Sequence, residues 1–313
     1  MKIFALAPRE NWICDRFVHE WNENHPDVTV SHPKDADIIW LLADWCWNQM
    51  HPDLLKEKVV VASVHHIVPD KFGAAEINEF KTRDQFVDYY HVPCEKTKEQ
   101  IADYTEKPIW VMPFWVNSQL WFKIAEDKSI IRKKLGIDTE CFLIGSFQRD
   151  TEGSDLVSPK LEKGPDLFCD AVERIRDEKA KDGIEVKVLL GGWRRQYVMN
   201  RLKEADIKYY YAELPPQTVV NAMYNMLDLY IVAARYEGGP QSIVECACTG
   251  TPIISTDVGV ASLVLNKEAI FDPGNELSAV TNPSHLREYV DKYLMPQGFI
   301  EFRNMFHKIK ERM

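Results

Sequence analysis

Two kinds of apolar pattern alternate along this chain. Short, near-continuous runs such as IIWLLA (38–43) and KVVVASV (58–64) are separated by longer stretches whose apolar residues recur every three or four positions. A continuous apolar run marks a strand covered on both faces, and therefore a parallel sheet, whereas the longer period marks a helix packed on one side. The pattern predicts strands over 3–7, 36–43, 58–66, 89–92 and 108–111, with helices over 13–22, 75–87 and 96–104. A connection through PFWVNSQLWF leads to a helix over 130–135 that Gly136 stops. A second alternation then follows: strands over 141–147, 186–192, 207–213, 227–234 and 252–259, with helices over 166–177, 196–204, 217–226 and 242–248. Residues 269–272 read as one more short extended piece. Regular β-α alternation argues for open parallel sheets with ligands at the carboxyl ends of their strands.

Length and charge narrow the picture. A chain of 313 residues suits two domains of roughly 100–200 residues each. A net charge of −10 argues against nucleic acid as a partner, which calls for a basic surface. The seven cysteines are scattered, with no Cys-x-x-Cys spacing, which reads as buried thiols in a reducing, cytoplasmic compartment. The first twelve residues have no long apolar stretch of the signal-peptide kind, and no segment approaches the ~20 apolar residues of a membrane span. Tryptophans cluster in DWCW (44–47) and in the 112–121 stretch. Such clusters fit sugar stacking as well as core packing.

The segment EGGPQSIVE (237–245) concentrates the chemistry. It follows an apolar strand and opens a helix. Gly238 and Gly239 let backbone approach a ligand, and Pro240 suits a first helical turn. The amides of Gln241, Ser242 and Ile243 would then face an anion. Glu237 and Glu245 would repel that anion unless each meets neutral hydroxyls. A nucleoside diphosphate sugar supplies hydroxyls at both ends and phosphates between them.

The order GSFQRD, then KLEKGPDLF, then EGGPQSIVECACTGTPII resembles the carboxyl-terminal half of family-four retaining glycosyltransferases. That resemblance implies an α/β fold of two Rossmann-like doubly wound domains facing a central cleft (GT-B), here with a compact first domain. Its implied boundaries are 1–116 for the acceptor-side domain, 117–290 for the nucleotide-sugar domain, and 291–313 for a helical segment packing back on the first domain. Arg149 and Lys163 match the positions that hold the donor diphosphate. Glu245 matches the residue on the ribose, Glu237 the one at the transferred sugar. Gly238, Gly239, Gln241, Ser242 and Ile243 complete the donor contacts. His65, in SVHHI, matches a strand-end histidine near the reaction centre. Arg9, Asn11, Trp12, Asp44, Trp45 and His66 are the acceptor-side candidates. The family's glycines after the first strand are replaced here by Pro8-Arg9-Glu10-Asn11-Trp12, and Pro240 lacks the N–H that the usual loop presents.

Other chemistries lack support. The chain has no Gly-x-Ser-x-Gly, no His-Glu-x-x-His, no phosphate-binding Gly-x-x-x-x-Gly-Lys loop and no Gly-x-Gly-x-x-Gly after its first strand. No metal-ligand spacing occurs, and the resemblance implies a metal-independent reaction with no cofactor beyond a UDP- or GDP-type donor. The acceptor would be a glycan, a lipid-linked sugar or a protein, with peripheral membrane contact left open. A nucleotide-sugar epimerase and a non-catalytic sugar-nucleotide-binding protein stand as alternatives.

Overall fold

The structure is a computed structural model and describes residues 1–10, 12–281 and 290–313. The chain divides into two compact units: residues 1–114 with 296–313, and residues 115–295.

In the first unit, β1 (Ile3–Leu6), β2 (Ile38–Leu41), β3 (Val59–Ser63), β4 (Tyr89–Val92) and β5 (Ile109–Val111) form one parallel sheet in strand order. All four residues of β2 are buried, as its unbroken apolar run requires. Helices α1 (Ile13–Asn24), α2 (Pro52–Glu57), α3 (Ala74–Asp84) and α4 (Glu95–Ala102) connect the strands. Beneath the sheet runs a polar relay. Trp40 Nε1 donates to Ser63 Oγ (2.9 Å), Ser63 Oγ lies 2.8 Å from His91 Nδ1, and His91 Nε2 reaches the Met112 carbonyl at 2.8 Å. A carbonyl only accepts, so His91 is a neutral imidazole protonated on Nε2, with Nδ1 accepting from the serine.

The second unit holds α5 (Lys128–Lys134) and the sheet strands β6 (Phe142–Ser146), β7 (Val186–Gly191), β8 (Tyr209–Ala212), β9 (Leu229–Val232) and β10 (Ile253–Ser255). Between them lie α6 (Pro165–Ala180), α7 (Gln196–Glu204), α8 (Gln217–Asn225) and α9 (Gln241–Thr249). A short α10 (Ala261–Val264) follows the last strand. The strand order is β10-β9-β6-β7-β8. The chain therefore winds outward from β6, then returns to start again at β9. That reversal places a topological switch point at the carboxyl ends of β6 and β9, where open α/β sheets bind ligands. The first sheet, running in strand order, has no such reversal.

Apart from β4, which matches its run, the strands are shorter than the apolar runs by one to five residues, because the runs extend beyond the ladder bonds into the adjoining loops. The extended piece over 269–272 joins no sheet: only an isolated bridge, Ser255 to Ile270, forms there. The last helix, α11 (Ile300–Lys310), belongs to the first unit, where Phe302 and Phe306 pack on Trp40 with ring centroids 5.6 and 5.3 Å away. Among the described residues, no helix is long and apolar enough to cross a membrane.

Candidate functional site

Both strands at the switch point lead into loops that carry charged side chains. Beyond β6, Gln148 donates through Nε2 to the Lys163 carbonyl (2.9 Å), tying the GSFQRD loop to the turn before α6. Arg149, partly exposed, donates through Nε to the Thr151 carbonyl (3.1 Å), and its guanidinium carbon lies 5.9 Å from the Trp193 ring. Beyond β9, the Glu237 carboxylate forms an ion pair with the Lys163 ammonium. The candidates Lys163 and Glu237 thus meet directly, although 74 residues separate them in sequence.

Two further cations stand here that motif spacing missed. Lys160 has its ammonium pushed below the ordinary value, first by burial and then by Lys163 and Arg149, with Glu162 opposing. Arg194 stacks over Trp193, its guanidinium carbon 3.8 Å from the ring centroid. A Cβ added to Gly153 would sit 1.9 Å from Arg194 Nη1 and 3.3 Å from Arg149 Nη2, so both guanidinium groups converge on that glycine. Only the fold brings these residues to one place.

Pro240 caps the start of α9, and its carbonyl accepts from the Ile243 amide at 3.1 Å. The first turn closes on itself there, and the amides of Gln241 and Ser242 precede that bond at the helix start. Gln241 also keeps a buried side-chain oxygen, Oε1, with no hydrogen-bond partner. A buried acceptor in that condition suits a hydroxyl-bearing ligand. Glu245, one turn further on and buried, accepts from the Tyr224 hydroxyl at 2.8 Å.

Two glycines hold this geometry where no other residue fits. Gly164 follows Lys163 at φ 60°, and a Cβ there would meet the Ala233 carbonyl oxygen at 1.8 Å. Gly259, at φ 52°, presses on the Glu237–Gly238 backbone: its Cβ would lie 2.3 Å from the Gly238 oxygen. Below the loops, Arg195 is fully buried and ion-paired with Asp150, and it donates to the Gly191 carbonyl at 2.7 Å and to Ser146 Oγ at 3.0 Å. One guanidinium thereby fastens the carboxyl ends of β6 and β7 to the loop bearing Arg149.

In the first unit, His65 follows β3 half-buried. Its Nε2 lies 2.9 Å from the Leu42 carbonyl and 3.5 Å from Cys14 Sγ, and its ring stacks on Phe114 at 5.4 Å. Burial and the neighbouring Glu10 and Asp15 push the Cys14 thiol up to about 12, so it is a packing thiol rather than a nucleophile. Asp44 forms an ion pair with Arg83 at 2.7 Å, and burial holds its carboxyl above the ordinary value against the pull of Arg83 and His65. Trp45 is exposed, with its ring 5.8 Å from that of His65. His66 is half-buried beside it. Arg9 adopts φ 61°, and its amide, with those of Glu10 and Trp12, donates to the Asp15 carboxylate at 2.9, 2.9 and 3.2 Å. Where a glycine-rich loop would offer its amides to a ligand anion, this loop has filled them with a carboxylate of its own. Trp12 remains exposed, and Asn11 lies outside the described residues.

Residues 155–292 match the family described as glycosyl transferases group 1. That segment includes Lys163, Glu237 and Glu245 but not Arg149 or His65. Over 199 residues the chain is 26% identical to the lipopolysaccharide core biosynthesis mannosyltransferase LpsB of Rhizobium meliloti, an alignment spanning 62% of this chain and 52% of that protein. The chain thus spans about half the length of this curated relative. Among solved structures, it is similar to the HepE protein of Anabaena in complex with UDP and glucose (TM-score 0.77, 13% identity, 100% of each chain). It is also similar to sucrose-phosphate synthase from Thermosynechococcus elongatus (TM-score 0.71, 15% identity, 98% of this chain and 81% of that one). The fold is that of GT-B glycosyltransferases.

Proposed function

We propose that this protein is a retaining, metal-independent glycosyltransferase that moves a sugar from a nucleoside diphosphate sugar to a hydroxyl of a glycan, lipid-linked or protein acceptor. The observation that carries the reading is the Lys163–Glu237 pair beside the start of α9, at the switch point of the second sheet.

The donor diphosphate would take Lys163, with Arg149 and the amides of Gln241 and Ser242 completing its shell. Glu237, released from Lys163, would accept from hydroxyls of the sugar, and Glu245 from those of the ribose. As the bond between the anomeric carbon and the phosphate oxygen breaks, its electron pair passes to that oxygen, where the cations stabilise it. The acceptor hydroxyl attacks from the same face, and its proton goes to the departing phosphate, which retains the anomeric configuration. Glu237, paired with a lysine, suits positioning better than covalent attack. Exposed Trp12 and Trp45 offer the first unit a stacking surface for an acceptor sugar. Seven free, buried thiols favour a cytoplasmic setting.

Incubating the full chain with a panel of UDP-, GDP- and ADP-sugars tests the reading. Release of free nucleoside diphosphate, accelerated by glycan extracts, is the expected result, and the anomeric configuration of the product reads retention. Interconversion of the sugar would identify an epimerase instead, and binding without turnover a binding protein.

A further inference from the structure

Tyr224 stands on α8, outside every motif that the sequence offers, and only 2% of it is exposed. Its hydroxyl donates to Glu245 Oε2. Burial and the Glu245 charge hold the phenol far above its ordinary value, so it stays protonated and acts as the donor. The ring cannot swing away. Trp121, Phe147 and Tyr230 surround it at centroid distances of 5.8, 4.9 and 5.3 Å.

The two backbones are tied as well. Thr251 Oγ1 donates to the Tyr224 carbonyl at 2.9 Å and accepts at 2.7 Å from the hydroxyl of Thr249, which closes α9 one turn after Glu245. The spacing between phenol and carboxylate is therefore fixed through side chains and main chain together.

We propose that Tyr224 is a positioning residue that sets the Glu245 carboxylate for the vicinal 2′,3′-hydroxyls of the donor's ribose, and so selects ribonucleotides over 2′-deoxyribonucleotides. The proposal rests on the donor reading given above. A carboxylate has about four acceptor positions, and the phenol uses one. That bond, from a phenol held on three sides by aromatic rings, restrains how the Glu245 carboxylate turns. Two adjacent hydroxyls donating to one carboxylate need that restraint, and a site built around both rejects a ligand that lacks one of them.

The test is calorimetric binding of UDP, GDP and their 2′-deoxy forms to the full chain and to Tyr224→Phe, which keeps the ring and removes the O–H. The unaltered protein binds UDP or GDP at least about tenfold more tightly than its deoxy form. Tyr224→Phe loses about tenfold toward the ribonucleotide and little toward the deoxy form, so the ratio falls close to one. Thr251→Val, which frees the Tyr224 carbonyl, moves the ratio the same way by a smaller factor, and decides the matter should Tyr224→Phe not fold. A ratio unchanged in the folded variants overturns the role of Tyr224 alone. Equal binding of ribo and deoxy forms by the unaltered protein removes the ribose role of Glu245 while sparing the donor reading. Binding of neither UDP nor GDP overturns the donor reading, and this proposal with it.

Discussion

The Lys163 ammonium and the Glu237 carboxylate are ion-paired at the carboxyl end of the second sheet, with side chains 21% and 13% exposed. Each is the other's counter-ion before any ligand arrives. A diphosphate would draw the lysine away, and sugar hydroxyls would replace it at the glutamate. Removing either partner leaves a partly buried charge without its match. Lys163→Ala and Glu237→Ala should each lower kcat/KM by about 10²-fold or more. The double variant should lose far less than the product of the two, because the pair acts as a unit. Steady-state kinetics with the donor found in the panel measures this, and fully multiplicative losses would show that the two act independently.

Gly259 should not tolerate alanine. The added carbon would strike the Gly238 carbonyl at 2.3 Å in a left-handed conformation, forcing the loop that carries Glu237 to move. The expected cost is about 1–3 kcal/mol of stability with a larger proportional loss of activity. Gly136→Ala is the control: it shares a positive φ of 70° but meets nothing within 4 Å. Comparable activity losses in the two variants would refute the steric account.

Arg195→Leu should be among the most destabilising single changes in the second unit. The arginine and Asp150 are 0% and 1% exposed, so the substitution strands a buried carboxylate. A loss of about 3–5 kcal/mol in denaturant unfolding is expected. Arg195→Leu combined with Asp150→Leu should recover part of it, since no lone charge remains.

Acid should weaken the first unit through His91. Burial pushes this imidazole down to about 3. The unfolded chain takes up a proton below its ordinary value of about 6.5, while the folded chain refuses one until about 3. The stability conferred is complete above 6.5 and declines as pH falls from there toward 3, by up to about 1.4 kcal/mol per pH unit. His25, also lowered by burial, adds in the same direction. Denaturant unfolding at pH 7.5, 6 and 5 should show a shallower decline for His91→Gln; parallel curves would remove His91 from the account.

Much of the fold was legible because parallel strands announce themselves. Tyr89–Val92 and Gln196–Glu204 match the sequence pattern residue for residue, since apolar run and period leave few options. Helix α2 went unread: six residues cannot establish a period. In the site, Glu237, Glu245 and Lys163 carry local signals in glycines and spacing. Tyr224, Arg194, Arg195 and Gly259 carry none, because what singles them out is a neighbour at least 21 residues away.

The first unit is assembled from two distant stretches, with Phe299, Phe302 and Phe306 packing on Trp21 and Trp40. The second unit is one unbroken stretch. During synthesis the order of completion is therefore inverted: residues 115–295 can fold as soon as they emerge, while the sheet made earlier waits, its tryptophans uncovered, for residues 296–310. Truncation before Pro296 should leave an aggregation-prone first half beside an intact second one.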